Sequence, residues 1–158
     1  MELLSTEIPD DEVIVRALKN PVHVNRKNGK LKSGAYMPPP GKSIISVARI
    51  PGVVASKAAV KKSIADANNP AISYIGFSAI YASTVREARS EVVDAPEDYY
   101  GHAHIDHKIK APDRNEPQDP EVNEIYITKI KVMLEKAKAY IDPAPDELEW
   151  TGPDLLPP

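Results

Sequence analysis

Residues 13–18, Val-Ile-Val-Arg-Ala-Leu, are the first sustained run of β-branched and apolar positions, and such a run predicts a strand. Asn28-Gly29 tolerates the positive φ of a tight hairpin turn, so the chain is expected to return as a strand from Leu31 to Tyr36. Met37-Pro38-Pro39-Pro40-Gly41 then reads as a loop, because proline donates no hydrogen bond to a central ladder. Ser43 to Ile50 is apolar enough for a buried strand and is closed by Pro51-Gly52. From Ser56 the period lengthens: Ala58, Ala59, Ile64 and Ala65 fall on one side, with Lys57, Lys61, Lys62 and Asp66 largely on the other. That is the pattern of an amphipathic helix, ended by Asn68-Asn69-Pro70. Ile72 to Phe77 predicts a short strand, Ser78 the cap of a second short helix through Ile80, Tyr81, Val85 and Arg86, and Glu91 to Asp94 another strand.

The clearest element opens at Asp119-Pro120, an N-cap residue followed by proline at the first helical position. Val122, Ile125, Tyr126, Ile130, Met133, Leu134, Ala137 and Ile141 recur at helical spacing, which predicts a long helix ending near Asp142-Pro143 and packed on the sheet. The expected fold class is α+β: a small mixed or antiparallel sheet with two short helices and one long C-terminal helix. Three segments are expected: an acidic N-terminal stretch (1–12), one domain (13–142) and an acidic, proline-rich tail (143–158). The tail carries Leu148, Trp150, Leu155 and Leu156, apolar residues that predict docking on this chain's own body or on a partner.

Charge sharpens this division. Residues 1–12 and 142–158 each hold five acidic side chains and no lysine or arginine, so the body between them has 20 basic against 13 acidic groups, a formal +7. A basic body between acidic ends is suited to hold its own tail, an acidic partner or a nucleic acid. The run Arg26, Lys27, Lys30 and Lys32 around the predicted hairpin is the best-placed set for phosphates, although no aromatic stacking motif accompanies it. Absence of cysteine removes thiol catalysis and Cys-type metal sites. With no signal-peptide pattern and no apolar run near the ~20 residues of a membrane span, a soluble cytoplasmic protein is expected.

Most of the candidate chemistry lies in six residues, His102-Ala103-His104-Ile105-Asp106-His107, which hold three of the chain's four histidines. Imidazole and carboxylate are ligands for a divalent metal such as zinc or manganese. As a strand, residues 102–106 would place His102, His104 and Asp106 on one face and Ala103 and Ile105 on the core face. His107 would serve as further ligand or general base, and His23 or Glu91 would complete the set. The spelling H-x-H-x-D-H resembles the signature of the metallo-β-lactamase family, in which His102 and His104 would hold one metal and Asp106 and His107 a second. That match covers only these six positions: no apolar strand precedes them, and too little chain follows for the family's remaining ligands.

Arg16 in the first strand, Ser46 in a later one and a distant glutamate loosely resemble ADP-ribosyltransferase layouts, in which arginine and glutamate frame a dinucleotide. A broader resemblance spans roughly residues 13–107, through Val15-Arg16-Ala17-Leu18, Lys32-Ser33-Gly34-Ala35-Tyr36, Ile45-Ser46-Val47-Ala48-Arg49, Gly76-Phe77-Ser78-Ala79-Ile80, Asp94-Ala95-Pro96-Glu97-Asp98 and Gly101-His102-Ala103-His104. In this order the segments resemble a group of small prokaryotic proteins with no assigned activity. The resemblance implies a bacterial or phage-linked origin, as part of a larger multi-protein system, and supplies no catalytic residue. Two functions stay open: a small binding or adaptor protein that contacts partners through its basic body and tail, or a metal-dependent hydrolase or nuclease built on His102, His104, Asp106 and His107.

Overall fold

The first apolar run forms strand β1 (Val13–Asn20), whose alternation sends Val15 and Ala17 to one face of a sheet and Ile14 and Leu18 to the other. A computed structural model describes residues 3–25, 27–113, 115 and 117–158. Arg26 of the basic run, and Met1 and Glu2 of the acidic start, lie outside the described residues. After β1 come a two-residue ribbon pair, β2 (Val24–Asn25) and β3 (Lys30–Leu31), then β4 (Ile44–Arg49) and helix α1 (Val53–Ala67). The chain continues through β5 (Ser73–Tyr81), α2 (Ala82–Glu87), β6 (Glu91–Asp94), β7 (His102–Asp106), α3 (Pro120–Lys136) and β8 (Lys138–Ile141). Six strands form one sheet in the order β6-β7-β4-β1-β5-β8, each neighbour antiparallel, so the fold is α+β with an antiparallel sheet.

Both faces of that sheet are covered. On one, Ile14, Leu18, Ile45, Val47, Ala103 and Ile105 pack with Tyr36, Val85 of α2, and Ile130 and Met133 of α3. On the other, Val15, Ala17, Ala48, Phe77 and Ala79 lie with Val53, and the partly buried Val60 and Ile64 of α1 pack against them. Asp119 caps α3 as expected, its carboxylate accepting the Glu121 N–H at 2.9 Å.

Four local expectations are corrected. The return strand stops at Leu31; Ser33–Ala35 forms a 3-10 turn that delivers Tyr36 to the core, where its hydroxyl donates to Ser78 Oγ at 2.9 Å. Ser78 is therefore a fully buried residue inside β5, and α2 starts only at Ala82 without a side-chain cap. Helix α1 begins at Val53, and its buried stripe runs through Val53, Ser56, Lys57, Val60 and Ile64, while Ala58, Ala59 and Ala65 face outward. Helix α3 ends at Lys136, where Ala137 turns extended and Lys138–Ile141 instead completes a backbone ladder with β5.

The acidic ends are fastened to the body. Ile8 is buried in the core, the Ile8 carbonyl accepts from Arg86, and Asp10 pairs with Arg86 at 2.5 Å. At the other end, Lys57 Nζ pairs with the buried Asp142 at 2.8 Å, and Lys57 and Lys61 donate to the carbonyls of Ala144 and Pro145. Trp150 meets Phe77 edge-on at 5.7 Å, and Leu155 is buried beside it. Two of the four expected partner-binding residues are thus used in the chain's own packing, leaving Leu148 and Leu156 exposed. Trp150→Ala should cost about 1–3 kcal/mol, below the range for a fully buried tryptophan because the ring is half-buried; urea unfolding followed by circular dichroism checks this.

Candidate functional site

Pairing between β1 and β4 extends only over Ile14↔Arg49 and Val15↔Ala48, although both strands run on. Beyond Val15 they part. Arg16 crosses the fork, its Nη1 donating to the Ser46 carbonyl at 2.7 Å. The fork opens as a crevice of about 330 Å³ lined by Arg16, Lys19, His23, Ser46, Ser56, Ser63 and Tyr99 among its polar residues. No aspartate or glutamate is among its described lining residues. That volume lies at the lower end of the range for small-molecule sites.

The Arg16 guanidinium is anomalous. Its Nε is sealed from solvent without a hydrogen-bond partner, and no carboxylate pairs with it among the described residues. Burial pulls its pKa down to about 10, partly offset by Tyr36, so it is still a cation at neutral pH. Tyr36 is no counter-ion, because burial pushes its own pKa up to about 12. The side chain as a whole is half-buried, and a sealed donor left unsatisfied costs about 1–3 kcal/mol. His23 responds to the same field: its Nδ1 accepts the Lys19 N–H at 3.0 Å, and burial, Arg16 and Lys19 together push its pKa down to about 3.

On the crevice wall, Ser46 Oγ stands 2.8 Å from His102 Nε2. His102 Nδ1 lies 2.8 Å from the Ala95 carbonyl. A carbonyl only accepts, so Nδ1 carries the proton and Nε2 accepts the Ser46 hydroxyl. Asp98 Oδ2 is 3.5 Å from the same Nδ1, and the Tyr99 ring meets the imidazole edge-on at 4.8 Å. Burial raises the Tyr99 pKa against its hydroxyl's contacts with Ser56 and Ser46. Gly101 positions this loop: its φ of +87° is left-handed, and a Cβ there would fall 2.5 Å from the Gly52 nitrogen, so no side chain fits.

The histidine cluster divides: His102 and His104 stay together, their rings edge-on at 5.6 Å, while His107 leaves them. Ala103 and Ile105 are fully buried and His102, His104 and Asp106 share the opposite face, as period two predicts. Yet both nitrogens of His102 are engaged, and Asp106 accepts from the Lys108 N–H. His107 turns into the core, between Ser90 Oγ and the Tyr36 carbonyl, each at 2.8 Å, with Tyr126 against its ring. Glu91 pairs with Arg86 at 2.7 Å, and His23 lies in the crevice. Among the described residues no group of three or more His, Asp or Glu side chains is gathered for a metal.

A larger concavity, about 1050 Å³, lies between α3, β3 and β8, lined by Leu31, Met37, Ile130, Leu134 and Ala139 with Lys30, Lys131 and Lys138. Its lining is mainly apolar, and among the described residues the one buried side-chain donor left without a partner, Arg16 Nε, belongs to the smaller crevice. Arg16 and Ser46 do come together, but without the glutamate that a dinucleotide-framing layout requires. Among the described residues, no helix is long and apolar enough to cross a membrane. Comparison with family models, curated proteins and solved structures finds no match for this chain.

Proposed function

We propose that the protein binds a small anionic ligand, one bearing a phosphate or carboxylate group, in the crevice where β1 and β4 part. The observation that carries this reading is the half-buried Arg16, whose Nε is sealed from solvent without a hydrogen-bond partner and which no carboxylate among the described residues pairs with. An anion beside it supplies the missing counter-charge, and guanidinium is the side chain best shaped for phosphate or carboxylate. Lys19 adds positive charge, and the hydroxyls of Ser56, Ser63 and Tyr99 supply neutral donors.

Inorganic phosphate and succinate are suitable first probes. A ligand at 100 times its Kd stabilises the folded state by about 2.7 kcal/mol, which raises the thermal midpoint. Wild type is expected to show that rise and Arg16→Met to lose it, with affinity at least about tenfold weaker by calorimetry. General salting-out stabilisation acts on both proteins alike. Equal rises in the two would count against the site.

A second reading is a protein-binding adaptor of a bacterial multi-protein system. Its support is the apolar groove beside α3, where Ile127 is 69 % exposed on the lining, together with exposed Leu148 and Leu156. Ile127→Glu would then abolish capture of a protein partner without changing anion binding.

A further inference from the structure

We infer that Ser46 is a nucleophile activated by His102, and that the crevice hydrolyses small carboxylic esters carrying a second, anionic group. The choice of an anionic substrate rests on the ligand reading above; the nucleophile does not.

Ser46 is exposed on the crevice wall, whereas His102 beneath it is 3 % exposed. The buried imidazole directs its accepting nitrogen at a hydroxyl open to the crevice, 2.8 Å away, and has its other nitrogen fixed as N–H by the Ala95 carbonyl. Nucleophile, base and orienting acceptor therefore stand in line, the relation that defines an activated serine whatever the fold. Asp98 Oδ2, 3.5 Å from Nδ1, is placed to stabilise the imidazolium that forms when the serine proton moves. Arg16, bonded to the Ser46 carbonyl at 2.7 Å, sets a fixed positive charge beside the same residue.

The steps balance. Ser46 Oγ bonds to the ester carbonyl carbon while its proton passes to His102 Nε2; the alkoxide leaves with that proton as an alcohol, giving acyl-Ser46. Water then gives a proton to Nε2 and its hydroxide to the acyl carbon, and the departing Oγ takes the proton back, releasing a carboxylic acid. Water is the one co-reactant the balance requires.

A fluorophosphonate probe tests the nucleophile directly, since it transfers its phosphonyl group to an activated serine with loss of fluoride. Intact mass and peptide mapping should show one adduct on Ser46 in the wild type and none there in Ser46→Ala. His102→Gln should slow labelling at least ~100-fold, the usual contribution of a general base. Its thermal unfolding would confirm that the variant is folded. No adduct on Ser46, or equally fast labelling of folded His102→Gln, overturns the proposal. The substrate class is read separately, from 4-nitrophenyl acetate against mono-4-nitrophenyl succinate. Wild type should favour the anionic ester at least ~10-fold in kcat/KM, about 1.4 kcal/mol, and Arg16→Met should lose that preference, the ratio between the two esters being independent of any change in overall rate. Labelling without preference rejects the anion reading alone; preference in phosphate or succinate binding without labelling rejects the nucleophile alone.

Discussion

Arg49→Met is expected to destabilise the protein by about 3–5 kcal/mol, the cost of breaking a buried ion pair from one side. Arg49 is 3 % exposed and forms a two-pronged pair with Glu12, Nε to Oε2 at 2.6 Å and Nη2 to Oε1 at 2.8 Å. Its Nη1 also donates to the Ser5 carbonyl at 2.6 Å and to Asp94 Oδ1 at 3.1 Å. The side chain thus ties the N-terminal segment to the end of β4 and to edge strand β6. These contacts, the hydrogen bond with Glu12 first, raise its pKa despite burial. Methionine fills much of the same volume but leaves Asp94, whose side chain is 8 % exposed, without its cation. Arg49→Lys should recover only part of the loss, because an ammonium cannot reproduce the fork. In the double variant Glu12→Gln/Arg49→Met, the loss should be smaller than the two single losses added, since they share one interaction. Urea unfolding of the four proteins measures the coupling; strict additivity would show that the pair is not coupled.

Elements whose residues state their own environment were legible in the sequence. The alternation of β7 placed Ala103 and Ile105 inside, and Asp119-Pro120 marked the start of α3. Where environment comes from a distant partner, the pattern misled. Lys57 reads as a solvent-facing helix residue, but Asp142, 85 positions away, gives it a buried partner. Residues 138–141 continue the helical period of α3, yet the open edge of β5 offers them a ladder. A polar Ser78 suggests a cap until Tyr36 arrives to bond it.

The site was less legible for the same reason. Local spacing could show that His102, His104 and Asp106 share a face, but not that Ala95 and Ser46 engage both nitrogens of His102. Nor does the sequence indicate where β1 and β4 cease to pair, which creates the crevice and brings Lys19, Ser56, Ser63 and Tyr99 around Arg16. The one signal available was a charged residue within the otherwise apolar run 13–18 of β1. Arg16 stands between Val15 and Ala17, both buried, and a cation in that position requires a partner or a function.

Acidification should unfold the protein progressively as the pH falls from about 6.5 toward 3, with His23 a principal cause. His23 is 5 % exposed, its Nδ1 already accepts the Lys19 N–H, and Arg16 and Lys19 oppose a further positive charge. Its pKa is therefore about 3 in the folded chain against an ordinary 6.5. Between those values the unfolded chain takes up a proton that the folded one refuses, so stability rises with pH across the window and is fully present above it. At about 1.4 kcal/mol per pH unit, one such histidine contributes a few kcal/mol. His107 acts in the same direction, since burial lowers its pKa against the hydrogen bond to the Tyr36 carbonyl. The Asp142 carboxylate, held below its ordinary 3.8 by Lys57 and Tyr74 despite burial, loses its contribution only at lower pH. His23→Gln keeps an acceptor for the Lys19 N–H but does not titrate. Urea unfolding at about pH 4.5 to 7 should show its stability falling less steeply with acid than that of the wild type, by up to one proton, with the remaining slope due to His107 and, toward the acid end, to Glu91, held below its ordinary value by Arg86 and the Val92 N–H despite burial. An unchanged slope would remove His23 as a principal source of acid lability.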